Sequence, residues 1–226
     1  MAAGHSLGEF SAYVAAGAFP FEDALRTVRR RGELMYESGS ARPGTMAAII
    51  GLDDEAVERV CAEASTNGEV AVGANLNAPG QIVISGDVAA VERAGHLAKE
   101  AGAKRALPLN VSGAFHSPLM KVAEAGLREQ LKRVKITAPR FPIVSNVAAE
   151  PIRDPETARS LLIEQLTSPV RWVASVRTML DAGTSAFLEV GPGAVLSGLL
   201  RRIEKNATSR PLGTADQVEA FLTEEG

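Results

Sequence analysis

The chain has 226 residues, of which 46% are hydrophobic and 23% charged, a balance ordinary for a globular domain or a domain with an insert. Its formal net charge of −3 gives no overall positive field for nucleic acid or an anionic membrane. The single cysteine, Cys61, excludes an internal disulfide framework and suits a reducing compartment, and no apolar run is long enough for a membrane span. We therefore expect a cytoplasmic protein with no nucleic-acid and no membrane partner.

The first 42 residues predict two helices. Ser6 is a natural N-cap for a first helix that ends at Gly17. A second helix is predicted over 21–35, and 38–45 is interpreted as a turn-rich linker. The apolar stripe of the second helix consists of Phe21, Ala24, Leu25, Val28 and Met35.

The segment 43–112 predicts a small domain of its own. Strands are expected at 46–52, 69–78, 81–86 and 104–112, and helices at 53–65 and 87–102. The order β-α-β-β-α-β is typical of the ferredoxin-like unit. We predict an inserted ferredoxin-like α+β domain between two parts of a larger domain, residues 1–42 and 113–226.

The last segment, 113–226, alternates strands with helices, which predicts a parallel α/β sheet. Helices are expected at 119–134, 158–166, 172–183 and 194–205, and strands at 141–147 and 186–191.

Ser6 is the first candidate for chemistry, because it lies in the G-x-S-x-G pattern of residues 4–8. In that pattern the chain turns sharply from strand to helix, so the hydroxyl projects and the next backbone N–H faces a developing oxyanion. A plain helix cap is the alternative, and the pattern alone does not decide between them. Of the possible bases, His5 should point away from its neighbour and His96 lies on the polar side of a helix. His116, in a loop between a strand and a helix, is the best candidate.

Arg31 falls on the apolar stripe of the second predicted helix. A guanidinium that faces inward needs an anionic partner, because an unpaired buried charge is very costly. The partner is either an internal carboxylate in a structural salt bridge or a substrate carboxylate held by two parallel hydrogen bonds.

Six segments together resemble the malonyl-CoA:acyl-carrier-protein transacylase family, which is related to the acyltransferase domains of polyketide synthases. The segments are GHSLGEFSAYVAAGAFPFEDALRTVRRRGELM, MAAIIGLDDEAV, NLNAPGQIVISG, GAFHSPLM, SPVRW and EVGPGAVLSGLLRRI. The resemblance covers essentially the whole chain. It implies an α/β fold with an α/β-hydrolase-like parallel-sheet core and a ferredoxin-like insert. It also implies transfer of malonyl from malonyl-CoA to the phosphopantetheine thiol of acyl carrier protein, through a malonyl-serine ester and without metal or cofactor.

The resemblance assigns roles by position. The nucleophile corresponds to Ser6, the base to His116 and the arginine that binds the malonyl carboxylate to Arg31. The backbone carbonyl that orients the histidine corresponds to Gln165, and one oxyanion donor to the N–H of Leu7.

Two further positions are implied more weakly. Phe115 resembles the malonyl-selecting form of its motif, since its bulk would crowd an α-methyl group. Asn77 is a candidate for substrate binding, with an amide that satisfies turn backbone as the alternative. Three cations, Lys121, Arg201 and Arg202, are either contacts for an acidic carrier protein or ordinary solvated helix faces.

The sequence departs from the family at its start. The family's GQGSQ-like loop, whose glutamine supplies a second oxyanion N–H, is missing, and so is the strand that leads into Gly4. We therefore expect a family member without its N-terminal segment, with an incomplete core and doubtful activity alone, and a monomer when complete.

Three other functions stay open. An acyltransferase of a polyketide pathway would use the same residues. A serine esterase or thioesterase would place an acid between Ser6 and His116 in chain order, but no acid there follows a predicted core strand. A non-catalytic fragment would at most bind CoA or a carrier protein.

Overall fold

The structure, a computed structural model, describes residues 1–225. Its α-helices, α1 to α9 in chain order, are Leu7–Ala15, Phe21–Ala41, Asp54–Ala64, Val88–Glu100, Lys121–Lys132, Pro155–Glu164, Trp172–Asp181, Val195–Ile203 and Ala215–Glu225. Its strands, β1 to β9, are Ala2–Ala3, Gly44–Ile50, Ala71–Ala78, Gln81–Asp87, Arg105–Pro108, Ile143–Val144, Pro151–Ile152, Ala186–Val190 and Thr208–Leu212. A 3-10 helix, Pro118–Met120, leads into α5. In this described part of the chain, no helix is both long enough and apolar enough to cross a membrane.

The chain forms an α/β fold with two compact units, one ending at Ser175 and the other beginning at Val176. In the first unit, β1 pairs in parallel with β6, and β6 pairs antiparallel with β7. In the second unit, β8 and β9 pair in parallel, and α8 and α9 both pack against β9.

The larger core of the first unit is built where helices cover β1 and β6. Helix α5 contributes Ala123, Leu127 and Leu131, whose spacing of four residues puts them on one buried face. These side chains belong to one apolar cluster with Phe10 and Tyr13 of α1. This packing holds the start of α1 beside the end of β1.

A second core lies in residues 43–112, under a four-stranded antiparallel sheet of order β3-β4-β2-β5. Helices α3 and α4 cover one face, where Ile49 and Ile84 point toward Val57 and Val91. The turn between β3 and β4 contains Gly80 at φ 68, a left-handed conformation that glycine adopts without strain.

The end of the second helix is predicted wrongly. Helix α2 runs to Ala41 rather than to Met35, so the first half of the expected linker is helical. The cause is tertiary packing: Gly39 is buried, and a Cβ there would lie 2.5 Å from the carbonyl oxygen of Ser112. A small residue that would ordinarily weaken a helix therefore serves a close approach between two segments.

Two of the residues expected on the apolar stripe of α2 are also misplaced. Phe21 is 69% exposed and Leu25 is 58% exposed. The buried face follows a neighbouring line along the helix and consists of Ala24, Thr27, Arg31, Leu34, Met35, Ser38 and Gly39.

Several boundaries in the later segments differ as well. The strand expected at 141–147 is observed as β6, which has only two residues, because the chain turns after Val144 and returns as β7 at Pro151. The expectation that the strand leading into Gly4 is missing is wrong, since Ala2–Ala3 form β1 directly before Gly4 and pair with β6. Strands β7 and β9 and helix α9 are not predicted. Strands β1 and β7 have only two residues each, too few for a periodic pattern.

Candidate active site

Ser6 lies on a sharp turn between β1 and α1. Its backbone has φ 52 and ψ −109, a conformation that a residue with a side chain rarely adopts and that typically costs about 1–3 kcal/mol. The turn brings Gly4 against the start of the helix, where a Cβ on Gly4 would collide with the backbone carbonyl of Gly8. The expectation that Ser6 caps the helix with its side chain is wrong, since it makes no such bond. The turn instead directs the hydroxyl of Ser6 toward His116.

The hydroxyl of Ser6 meets His116. Ser6 Oγ lies 2.8 Å from His116 Nε2, and His116 Nδ1 lies 2.8 Å from the backbone oxygen of Gln165. Because a carbonyl only accepts, Nδ1 carries the proton and Nε2 is free to accept one from Ser6. Burial, with the cation of Arg31, lowers the pKa of His116 to about 4, so the ring is neutral at physiological pH.

Arg31 adds a buried cation at the same point. It is 4% exposed, and its Nη2 donates to Ser6 Oγ and to Gln165 Oε1, each at 3.1 Å. Its guanidinium lies over the ring of Phe10, with Cζ 5.8 Å from the ring centre. Burial lowers the pKa of Arg31 to about 10, so it remains charged at neutral pH.

The expected alternative for Arg31, an internal salt bridge, is not formed within residues 1–225. Glu9 favours the charged form electrostatically but makes no ion pair with it. In the same described range, Arg31 Nε is buried without a hydrogen-bond partner. The guanidinium therefore has donor capacity for an anion beside Ser6 Oγ.

Two residues of the site were missed by sequence reasoning, Glu9 and Asn146. Asn146 accepts from the backbone N–H of Ser6 at 2.7 Å through Oδ1 and donates to the carbonyl of Gly4 at 2.8 Å through Nδ2. Glu9 Oε2 accepts from Gln165 Nε2 at 2.6 Å and from the backbone N–H of Asn146 at 3.2 Å.

Signals for both residues exist in the sequence. Glu9 follows Ser6 by three residues, so it lies on the same side of α1. Asn146 comes shortly after β6, which is parallel to β1, and parallel strands end at the same edge of a sheet.

Three of the other predicted residues lie around this centre. Leu7 is the first residue of α1, where a backbone N–H has no acceptor within its own helix. Phe115 is half-buried beside His116 and packs against the larger core of the first unit and against a separate small cluster of Met46, Ala74 and Val83. Asn77, on β3, bonds the side chain of His5 at 2.8 Å rather than turn backbone, so its expected alternative is wrong.

The remaining histidines behave as expected. His5 turns away from Ser6 toward Asn77 and packs its ring 5.5 Å from that of Trp172. His96 is exposed on α4.

The chain matches the acyl transferase domain family over residues 1–219. It is 48% identical over 220 residues to the malonyl CoA-acyl carrier protein transacylase of Bacillus subtilis strain 168, covering 97% of this chain and 69% of that protein. A Staphylococcus aureus protein of the same name is 41% identical, over 96% of this chain and 71% of that one.

Solved structures agree with these matches. An acyl carrier protein S-malonyltransferase from Vibrio cholerae superposes with a TM-score of 0.94 at 46% identity, over 97% of this chain and 71% of that one. A malonyl-transacylase solved with its type II polyketide synthase acyl carrier protein superposes with a TM-score of 0.92 at 44% identity, over 98% of this chain and 72% of that one. The chain belongs to the acyl transferase domain family.

Proposed function

We propose that this chain is an acyltransferase that moves a malonyl group from malonyl-CoA to the phosphopantetheine thiol of an acyl carrier protein in fatty-acid synthesis. The observation that carries the proposal is the pairing of Ser6 Oγ with His116 Nε2 at 2.8 Å, beside the buried cation of Arg31. The names of the relatives support the same substrates.

The first half of the reaction acylates the serine. His116 Nε2 takes the proton from Ser6 Oγ as that oxygen attacks the thioester carbon of malonyl-CoA. The developing oxyanion faces the backbone N–H of Leu7. When the intermediate collapses, the C–S bond breaks, the imidazolium returns its proton to sulfur, and CoA leaves as a thiol.

The second half transfers the acyl group. The carrier's thiol gives its proton to His116 and attacks the malonyl ester, and the proton then returns to Ser6 Oγ as the C–O bond breaks. Burial disfavours the imidazolium in both halves, whereas the carbonyl oxygen of Gln165 stabilises it through Nδ1–H. The same base therefore serves both transfers.

Arg31 selects the substrate in this proposal. A malonyl group on Ser6 carries a free carboxylate two carbons from the ester, within reach of a guanidinium that already touches Oγ at 3.1 Å. One of two parallel hydrogen bonds to that carboxylate would use Arg31 Nε, which has no partner among the described residues. Phe115 would limit substitution at the carbon between the two carboxyl groups, and Asn77 would act on this site only through His5.

The proposal is tested by mixing the chain with malonyl-CoA and measuring CoA release and intact mass. A transacylase gives a burst of one CoA per chain, a malonyl adduct on Ser6, and further turnover only with a thiol acceptor. Continuous turnover in water would identify an esterase. Absence of both the burst and the turnover would identify a non-catalytic binding module. A polyketide role, which the type II polyketide synthase complex favours, is distinguished by comparing carrier proteins of the two pathways.

We also infer a ferredoxin-like insert, a hydrolase-like core, a cytoplasmic location and a monomeric state. The strand order β3-β4-β2-β5, with both helices on one face, supports a ferredoxin-like insert in residues 43–112. The parallel pairing of β1 with β6 supports a hydrolase-like core in the first unit, formed by 1–42 and 113–175. A buried, free Cys61 is compatible with the cytoplasm, and light scattering would test the proposed monomer.

Of the three cations proposed as contacts for a carrier protein, Lys121 has an acidic neighbour on its own helix. Lys121 is exposed but pairs with Glu124 at 2.8 Å, which reduces its attraction for an acidic partner. Arg201 and Arg202 lie in the last turn of α8, in the second unit.

A further inference from the structure

Glu9 is a fully buried acid beneath the candidate active site that the two acyl transfers do not use. It lies on α1 one turn after Ser6, and one of its oxygens, Oε2, accepts two hydrogen bonds. The donors come from distant segments: the side chain of Gln165 is 156 residues away along the chain, and the backbone N–H of Asn146 is 137 residues away. A single carboxylate oxygen thus joins three of the segments that carry the site.

The bond to Gln165 determines how that side-chain amide is oriented. Its NH₂ group faces Glu9 Oε2 and the backbone oxygen of Ser6, and its Oε1 faces the guanidinium of Arg31. A rotation by 180° would set two acceptors against each other at Glu9 and two donors against each other at Arg31. Glu9 therefore holds the side-chain oxygen of Gln165, Oε1, in the position where it orients Arg31. The backbone oxygen of Gln165 orients His116.

The bond to Asn146 acts on the turn of Ser6. Asn146 accepts from the backbone N–H of Ser6 and donates to the carbonyl of Gly4, so its amide holds the chain that leads into the strained residue. A backbone at φ 52 persists only when its surroundings hold it there. By fastening the backbone of Asn146, Glu9 supports that restraint.

We propose that Glu9 is a positioning residue, whose Oε2 holds the base-orienting Gln165 and the turn-holding Asn146 in one arrangement and thereby aligns Ser6 with His116. The inference rests on the proposed function for its substrate, but the alignment of Ser6 with its base can be measured without malonyl-CoA. Glu9 touches neither the reacting atoms nor the proposed carboxylate, so it acts on both through Gln165 and Asn146.

Two variants separate the hydrogen bonds from the rest of the side chain. Glu9→Gln keeps an acceptor oxygen on a chain of the same length, whereas Glu9→Met keeps the length and removes both acceptors. Ser65→Ala is the matched control for stability: Ser65 Oγ donates to Cys61 O at 2.7 Å and accepts from Ala71 N at 2.9 Å, within residues 43–112 and away from Ser6. Melting curves are recorded for all variants.

The first measurement is the rate at which an alkyl fluorophosphonate labels Ser6, followed by intact mass. We expect Glu9→Met to label about 10- to 100-fold more slowly, since a displacement near 1 Å can cost about that much. Glu9→Gln should stay within about threefold of the unchanged chain, and Ser65→Ala should equal it. In malonyl transfer, Glu9→Met should lower kcat/KM by at least a similar factor, and Glu9→Gln should restore most of it.

Each outcome has one meaning. Labelling of Glu9→Met at the unchanged rate would overturn the inference, and so would a folded Glu9→Gln as slow as Glu9→Met. If Glu9→Met melts without cooperativity, Glu9→Asp takes its place, since it withdraws the carboxylate by one methylene and should also label slowly. A chain that labels at Ser6 but forms no malonyl adduct would refute the proposed function and leave the role of Glu9 standing. Absence of labelling in the unchanged chain would refute both.

Discussion

Removal of Arg31 gives the sharpest test of substrate choice. In Arg31→Ala both hydrogen bonds of Nη2 are lost, to Ser6 Oγ and to Gln165 Oε1. These two bonds serve any acyl group, so their loss should slow malonyl and acetyl transfer alike. The pairing with a carboxylate is available only to malonyl. The ratio of the two kcat/KM values therefore isolates the carboxylate interaction.

The magnitude follows from the burial of Arg31. A charge-assisted bidentate pair in a site that is 4% exposed should be worth roughly 2–4 kcal/mol. The preference for malonyl over acetyl should then fall by about 30- to 1,000-fold. Arg30→Ala is the matched control, since Arg30 is the preceding residue on α2 and pairs with Glu37 at 3.0 Å on the surface.

The assay measures transfer from malonyl-CoA and acetyl-CoA to one carrier protein, with equal enzyme concentrations. Arg30→Ala should leave both rates and their ratio unchanged. An equal loss for both substrates in Arg31→Ala would show that Arg31 only supports the site, and the reasoning from its free donors would be wrong.

Four further predictions concern the site. Ser6→Ala should abolish the malonyl adduct in intact mass, and an adduct that persists on another residue would reject the assignment. The acid limb of kcat/KM should lie near the lowered pKa of His116, about 4, and should move to higher pH in Arg31→Ala, because that cation is a cause of the lowering second to burial. Burial raises the pKa of Glu9 from 4.5 to about 7, so the native state keeps a proton that the unfolded chain has lost, and this contribution to stability declines as pH rises through 7. Between pH 4.5 and 7 the free energy of unfolding, measured with urea, should decline by up to about 3 kcal/mol, and Glu9→Gln should lack this decline. The lowered pKa of His116 makes the opposite contribution, a rise in the free energy of unfolding between pH 4 and 6.5. Gly4→Ala should lower the melting temperature by several degrees because its Cβ has no room, while Gly8→Ala, with open space around its Cβ, should not.

The candidate residues named from sequence motifs lie together in the structure. The pattern around Ser6 and the choice of His116 by elimination named two groups that the structure brings to 2.8 Å. The roles assigned to them remain predictions until activity is measured. Arg31 was found from an inward-facing charge, although Phe21 and Leu25 of the same predicted stripe are exposed. The predicted stripe thus places Arg31 correctly and these two apolar residues wrongly.

The α/β class, most helices and the strands of residues 43–112 are predicted from the sequence, which also names Ser6, His116 and Arg31 as candidates for the site. These depend on periodicity, turn residues and short motifs, which are read within one segment of chain. Tertiary structure alone decided the length of α2, the two-residue strands and the bonds that Glu9 makes to Gln165 and Asn146. Each of those depends on groups far apart in sequence, such as the 156 residues between Glu9 and Gln165, and local pattern carries no information on which distant donor a buried acceptor will meet.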